Sequence, residues 1–491
     1  MLSSGNNINK KAILSLAFIL ILVTGGCMVG PDYSKVQPET REDWYARMEK
    51  GLEKTRPKRD RLAKWWQVFD DPVLSRLEKK SVKGNLDLKT ALSRIRQARL
   101  KRGIDRSTLF PALNAEGQAQ RQQTSESMSS ISGGEVQNYY ISQFDSSWEL
   151  DLFGGIRRSV QAAQAELEAS QADMNDVLIS LMAEVALNYI EAQTYQHRLE
   201  ITRSNIKTQK KTYKLNKSRY QAGIIDELAV QQSLRNLERT RSQIPRLKSG
   251  LRQAQNRLAV LLGQKPGSVK DDIYSGKPIP EVPAEVAVGI PAEVMRRRPD
   301  IRRAERRLAA QTARIGVATA ELYPKFHLFG TIGLEALELE NKFFDAQSQF
   351  WNIGPGISWK IFQGGALRLN IELQSEKQKQ ALIHYKSTVL KAQEEVENAL
   401  TAYAKEQIRH QSLKRSVAAA KRTEFLAKDR YKAGLVDFYN VLDAQRSLLE
   451  LQDELTQSKG EVVADLVRLY KALGGGWGYN DILSDKYKSK D

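Results

Sequence analysis

Arg219-Tyr220-Gln221-Ala222-Gly223-Ile224-Ile225-Asp226 returns 211 residues later as Arg430-Tyr431-Lys432-Ala433-Gly434-Leu435-Val436-Asp437. Each string closes a stretch with neither glycine nor proline, from Ile156 to Ala222 and from Ala366 to Ala433. At 1.5 Å per residue, either stretch would make a helix about 100 Å long. Apolar residues recur in it at spacings of four and three, as in Tyr385, Val389, Ala392, Val396, Ala399 and Tyr403, which is the seam of packed helices. The Ala-Gly pair ends each helix, because glycine accepts the left-handed cap conformation. The chain then returns through Asp226–Leu262 and Asp437–Leu473, giving two long helical hairpins.

Working outward, the rest of each half repeats too. Leu109-Phe110-Pro111 recurs as Leu322-Tyr323-Pro324, Trp148 to Gly154-Gly155 as Trp359 to Gly364-Gly365, and Leu261-Leu262-Gly263 as Leu473-Gly474. Matches in one order at nearly constant spacing mean a duplicated unit. From Pro111 to Phe153 the period changes to two. Tyr140, Phe144, Trp148, Leu150 and Leu152 share one face, and Gln143, Asp145, Ser147, Glu149 and Asp151 share the other. The second copy has Phe326, Leu328, Ile332 and Leu334, then Trp351, Ile353, Ile357, Trp359 and Ile361. Alternation flanked by aromatics fits the strands of a membrane barrel; the edge of a soluble sandwich is the plainer alternative. A lipid-facing sheet cannot leave its edges open. A closed barrel needs at least about eight strands, and one chain offers four. Several chains must therefore share one barrel, and three chains give twelve strands.

The N-terminus sets the compartment. Lys10-Lys11 precede the apolar run Ala12–Val23, then Thr24-Gly25-Gly26 and Cys27, the only cysteine of the chain. That is a signal peptide ending in a small-small-Cys arrangement similar to a bacterial lipobox, with Thr24 in place of the usual leucine. Lipidation of Cys27 is the expectation; a plain signal peptide with an incidental cysteine is the alternative. Met28 is not the aspartate that would signal retention in the inner membrane. The chain thus divides into a signal peptide (1–26), a lipidated strap (27–65), repeat 1 (66–263, strand hairpin 109–153, helical hairpin 155–263), a linker (264–290), repeat 2 (291–474, strand hairpin 322–363, helical hairpin 365–474) and a polar tail (475–491). In repeat 1, Asp71-Pro72 opens a helical region to about Ser107, with breaks expected near Gly84 and Gly103. The linker, with Pro266, Pro278, Pro280 and Pro283, is expected to run along the surface.

The 491 residues carry a formal charge of +18, yet cations alternate with acids, as in Arg302-Arg303-Ala304-Glu305-Arg306-Arg307. That is a solvated helical surface and no nucleic-acid site. A negative mean hydropathy excludes a polytopic helical membrane protein. His197, His327, His384 and His410 lack partners at ligand spacing, and no nucleophile or phosphate-loop motif occurs. No metal, cofactor or enzymatic site is expected, apart from the covalent lipid on Cys27. What remains is passage through a duct. Its far end would be the turns, where Asp226, Glu227, Asp437 and Asp443 could gather into a cation-favouring ring on oligomerisation. Helix capping accounts for Asp226 and Asp437 as readily, and the two roles are compatible. A lipid-anchored periplasmic scaffold or adaptor is the rival reading, but it has no use for an outward apolar strand face.

The chain resembles the TolC-like outer membrane factors, in their OprM/NodT-type efflux lipoprotein branch. The likeness rests on Cys27-Met28-Val29-Gly30-Pro31-Asp32-Tyr33, Arg298-Pro299-Asp300-Ile301 with Ala304-Glu305, and Ala320-Glu321-Leu322-Tyr323-Pro324. It extends through Arg430–Gly434, Val441-Leu442-Asp443-Ala444-Gln445-Arg446 and Tyr470-Lys471-Ala472-Leu473-Gly474-Gly475-Gly476-Trp477. The resemblance implies a mainly α protein with a membrane β-barrel portion: a homotrimer whose twelve-stranded barrel continues as a twelve-helix periplasmic α-barrel. It implies an exit duct of a tripartite efflux system, lipid-anchored in the bacterial outer membrane. Ala222, Gly223, Ala433, Gly434 and Leu435 would belong to tips that dock a periplasmic adaptor, which opens the duct for an inner-membrane transporter of the RND type. Asp437, Asp226 and Asp443 are the candidate gate.

Overall fold

The computed structural model describes residues 28–55, 59–123, 125, 127, 134–269, 273, 278–340 and 342–476. The expected signal peptide, Cys27 and the tail beyond Gly476 lie outside the described residues. In chain order the elements are β1 (Leu52–Glu53), α1 (Arg59–Ala63), a 3-10 turn at Trp65–Phe69, α2 (Pro72–Gly84), α3 (Leu86–Ser107), β2 (Ala112–Gln123) and β3 (Val136–Leu150). Then come α4 (Gly155–Gln221), α5 (Glu227–Arg241), α6 (Gln243–Leu261), β4 (Val286–Ala287), α7 (Pro291–Arg297) and α8 (Pro299–Ala320). The chain ends with β5 (Lys325–Ala336), β6 (Gln349–Ser358), α9 (Ala366–Lys432) and α10 (Phe438–Ala472). The described residues fall into two compact units, one drawn from Met1–Val36, Arg94–Gln171 and Arg303–Tyr385, the other from Gln37–Ser93, Ala172–Arg302 and Lys386–Asp491.

The first unit holds an antiparallel sheet in the order β2-β3-β5-β6. Register puts Phe144 opposite Ala115 and Ile332, Trp148 opposite Leu328, and Leu150 opposite Phe326. Ile332 in turn faces Trp351, and Phe326 faces Ile357. The apolar positions of four strands therefore share one face. The opposite face is a hydrogen-bonded polar layer. Thr331 Oγ1 donates to Asp145 at 2.7 Å, Gln143 Nε2 to Asp145 at 2.9 Å, and Tyr139 to Glu335 at 3.0 Å. At the foot of the sheet the duplicated tryptophans do the same work. Trp148 Nε1 donates to the Leu109 carbonyl and Trp359 Nε1 to the Leu322 carbonyl, each at 3.0 Å. The strands are shorter than the alternation suggests, since Leu152, Trp359 and Ile361 lie beyond their ends. Gly103 does not break α3. Nothing lies within 4 Å of a Cβ placed there, so this exposed glycine only lowers helix propensity, by about 1 kcal/mol.

The residues after Cys27 are bound into the same unit. The Val29 amide donates to Phe153 O at 3.1 Å. Buried Arg158 donates from Nε to Val29 O and from an NH2 to Gly30 O, and pairs with Asp32 at 2.9 Å. Gly30 has φ +85°, and a Cβ there would lie 2.4 Å from Gly316 Cα, so two backbones touch where only glycine fits. Tyr33 donates to Glu305 at 2.9 Å beneath the Arg306 guanidinium. Burial, then the Glu305 charge, pushes its hydroxyl up to about 12.

The second unit is helical. As expected, Asp71 caps α2, accepting from Val73 N and Leu74 N, with Pro72 in the first turn. The expected break near Gly84 is present, and Asn85 makes it. Asn85 caps α3 through Leu88 N and reaches Leu261 O, and a Cβ on Gly84 would collide with Leu262 O at 2.1 Å. The short strands β1 and β4 go beyond the sequence expectation. β1 pairs in parallel with β4, and Val269, Ile273, Ile279, Val286 and Val288 are buried. The linker therefore feeds side chains into a core rather than lying along the surface; its prolines masked the short apolar positions between them. The return helix of repeat 1 is also interrupted at Ser242, between α5 and α6, whereas α10 runs unbroken. Pro245 has no amide to donate to Arg241 O, and the position 211 residues later is Thr456.

Arg298 gives the Arg-Pro-Asp string its physical meaning. It donates to Ala472 O at 2.6 Å, to Asp300 at 2.8 Å and to Glu395 at 2.6 Å, and so ties the ends of α8 and α10 to α9. Glu78 is the opposite case. It is 1% exposed on α2, and neither carboxyl oxygen has a partner among the described residues. Burial raises its pKa well above the ordinary range. Because the folded value is the higher one, its contribution to stability is complete below the unfolded pKa of about 4.3. It is lost as pH rises through the folded value. Replacing Glu78 with Gln should flatten this decline, so melting temperatures of the variant and the parent should converge at acid pH and separate in the variant's favour at alkaline pH. Parallel curves would contradict it.

Candidate functional site: the helical tips and the open sheet

In the second unit both Ala-Gly turns are closed by the same hydrogen bonds. Ile224 N donates to Arg219 O and Gly223 N to Tyr220 O, each at 2.9 Å; Leu435 N donates to Arg430 O at 2.9 Å and Gly434 N to Tyr431 O at 3.1 Å. These are Schellman closures with glycine at the left-handed position, φ +74° and +75°. Ala222, Gly223, Ala433, Gly434 and Leu435 are all exposed, so the turns present backbone and small side chains to solvent.

The two turns are braced to each other. Ala229, Phe438, Val441 and Leu442 form a buried cluster, with Ile225, Ala427 and Tyr431 against it. The Tyr431 and Phe438 rings lie 5.2 Å apart, and the Arg219 guanidinium sits 5.2 Å over the Tyr431 ring. Tyr431 also donates to Asn216 Oδ1, and Asn216 Nδ2 to Ala229 O, both at 3.4 Å. The sequence signal for this brace was present in the repeated Arg-Tyr pair. What hid it is that Tyr220 is exposed while its counterpart Tyr431 is half-buried.

The gate candidates behave differently. Asp226 caps α5 by accepting from Ala229 N at 3.3 Å. Asp437 stands at the equivalent position before α10, exposed and with no side-chain capping bond, so its carboxylate has no partner among the described residues. Asp443 is exposed two turns along α10. No contact joins Asp226, Asp437 and Asp443 among the described residues. Nor does any group of three or more His, Cys, Asp or Glu there have the geometry of a metal site.

In the first unit, β2 and β6 are the sheet's outer strands, and neither outer edge is paired among the described residues. The apolar face carries Phe144, Ile332, Trp351, Ile353 and Ile357, all more than half exposed. Beside the sheet, Leu100 and Ile104 of α3 and Leu369 and Leu373 of α9 are exposed as well. A sheet with an outward apolar face, a hydrogen-bonded polar face and two open edges is a segment of a wall. No described helix is long and apolar enough to cross a membrane.

Known proteins agree with this arrangement. The family described as "Outer membrane efflux protein" matches residues 78–264 and 290–475. Nodulation protein T of Rhizobium leguminosarum bv. trifolii is 33% identical over 468 residues, covering 94% of this chain and 96% of the relative. The toluene efflux pump outer membrane protein TtgF of Pseudomonas putida is 30% identical over 473 residues, covering 95% and 97%. Among solved structures, the outer-membrane channel OprN aligns with a TM-score of 0.86 at 36% identity, covering 92% of this chain and all of that one. The open state of the Neisseria gonorrhoeae MtrE outer membrane channel aligns with a TM-score of 0.79 at 28% identity, covering 92% and 99%. The chain belongs to the outer membrane efflux protein family, whose members are efflux ducts rather than enzymes, and is an outer-membrane channel of an efflux system.

Proposed function

We propose that three copies of this chain close into one twelve-stranded barrel, continued by twelve helices, and that solute passes through it without chemistry. The observation that carries this reading is the four-stranded sheet with both edges open and its apolar face exposed. Open edges facing lipid would leave backbone groups without partners, and three rotated copies would pair each β2 edge with a β6 edge. Exposed Leu100 and Ile104 of α3 and Leu369 and Leu373 of α9 offer apolar surface for a head-to-tail contact of the kind that closes a ring. The duct is a passive exit, needs no cofactor and binds no nucleic acid. A periplasmic adaptor engages the tips at Ala222, Gly223, Ala433, Gly434 and Leu435, and an inner-membrane transporter of the RND type supplies the cargo. Cys27 carries the lipid that anchors the chain in the outer membrane.

Asp437 is the foremost gate residue, because its carboxylate serves no cap; Asp226 and Asp443 are secondary. Substituting Asp226 by Ala should cost about 0.5–2 kcal/mol through loss of the cap, whereas Asp437→Ala should leave stability within about 0.5 kcal/mol. Denaturant titration separates the two. In planar bilayers Asp437→Ala should raise single-channel conductance and lower cation preference. Absence of conductance from both parent and variant, or a native mass of one chain, would overturn the duct. Cells fed labelled palmitate should label the parent and not Cys27→Ser; label persisting in the variant would rule out the anchor.

A further inference from the structure

The last third of α4 carries a charge pattern that the duct alone does not use. Between Glu200 and Asp226 there is no acidic residue, while Arg203, Lys207, Lys210, Lys211, Lys214, Lys217 and Arg219 all occur. Arg203, Lys207, Lys210, Lys214 and Lys217 repeat at spacings of four and three, so they form one straight stripe about 21 Å long, with Lys211 beside it. All six are exposed. Thr202, Gln209 and Asn216, the buried seam of the same helix, lie about 120° round the axis from the stripe. On the packed side, Asn205 bonds Gln452 and Asn216 bonds Ala229 O, so the stripe points away from the helices that hold α4.

No acid among the described residues answers it. Arg198, one turn before the stripe, pairs with Asp453 at 2.7 Å; the six cations of the stripe have no ion-pair partner among the described residues. Like charges three and four residues apart destabilise a helix, by about 0.2–0.5 kcal/mol a pair, so the stripe works against the free protein's stability. It is also peculiar to one repeat. The equivalent positions in α9 are Lys414, Ala418, Lys421, Phe425 and Lys428. Two of the five are uncharged, and Lys428 is paired with Glu424. A second copy of the chain is a poor occupant, since four of the six acids of α10 are already engaged: Glu450 near Arg446, Asp453 by Arg198, and Glu461 and Asp465 by Arg468; the exposed Asp443 and Glu454 are two acids against six cations. A small anion is a poor one too, because it needs cations that converge, and these run in a line.

We infer that this stripe is the docking face for an acidic α-helix of a partner protein, its Asp and Glu residues repeating at the same four-three spacing. Such a helix lying along α4 sets charge against charge as the flanking positions of a coiled coil do, and the field of the stripe speeds encounter. The inference deepens the duct reading, on which it rests, by giving the adaptor's contacting helix a chemistry and a place in repeat 1.

The full-length protein in nanodiscs is titrated with a synthetic 28-residue helix bearing Glu at four-three spacing. The control is a helix of the same composition with the Glu residues redistributed round the axis. The spaced helix should bind at least tenfold more tightly than the control, and more weakly at high salt. The Lys207→Gln/Lys210→Gln/Lys214→Gln variant should lose at least tenfold in affinity, while Lys421→Gln in repeat 2 changes it less than twofold. Circular dichroism of the variants should match the parent, because the substituted side chains are exposed. Equal binding of both helices, or unchanged binding by the triple variant, would overturn the inference. So would a triple variant that loses its oligomeric state, which would make a second copy the occupant. Altered ion selectivity with peptide affinity unchanged would overturn it in favour of a lumen lining. Conductance of the same preparation tests the duct separately, so either reading can fail alone.

Discussion

Every part of this protein answers to the hydrogen-bonding capacity of two strand edges. An unpaired amide or carbonyl can be left to water but not to lipid, where each costs several kcal/mol. One chain supplies a sheet ordered β2-β3-β5-β6 whose apolar side chains face outward. Such a sheet is consistent with a bilayer only as a fraction of something closed. Duplication meets this demand economically, because one hairpin design serves twice per chain, each with a tryptophan bonded to the carbonyl of its preceding leucine.

Much of this was legible in the sequence, for identifiable reasons. Period-two alternation survives as a continuous apolar face because register keeps even-numbered positions of β3 and β5 on one side. Asp71-Pro72 and the Ala-Gly strings work through their nearest neighbours, so a few residues suffice to announce them. What escaped depends on distance in the chain. The β1–β4 pair joins residues more than two hundred apart through two residues each, too few to show a period. Arg298 reads as one more basic residue until Ala472, Asp300 and Glu395 converge on it. Gly103 and Gly84 look alike in the sequence, and it is Asn85, capping the next helix and bonded to the distant Leu261 carbonyl, that separates a helix break from a tolerated glycine. At the tips, Asp226 and Asp437 occupy matching positions, yet only the first spends its carboxylate on a cap.

The two copies have diverged where a duct has use for difference. Pro245 divides one return helix and Thr456 leaves the other whole. Tyr220 faces solvent while Tyr431 braces both turns. The cationic line on α4 has no intact counterpart on α9. Around the proposed threefold axis such differences would alternate six times, so neighbouring faces of the ring would not be interchangeable to anything approaching from outside.

The Arg158 clamp has a mechanical corollary. Residue 27 is one Cα step, about 3.8 Å, from Met28, and Met28 packs against Gly154 at the foot of β3. With Val29 and Gly30 held by Arg158, the chain that follows the proposed lipidation site has no slack before the strands. If Cys27 carries the proposed lipid, acyl chains and sheet would be ruled off against the same leaflet, and the anchor would act as a depth stop that fixes how far the sheet sinks, rather than as a leash that merely keeps the protein near the surface.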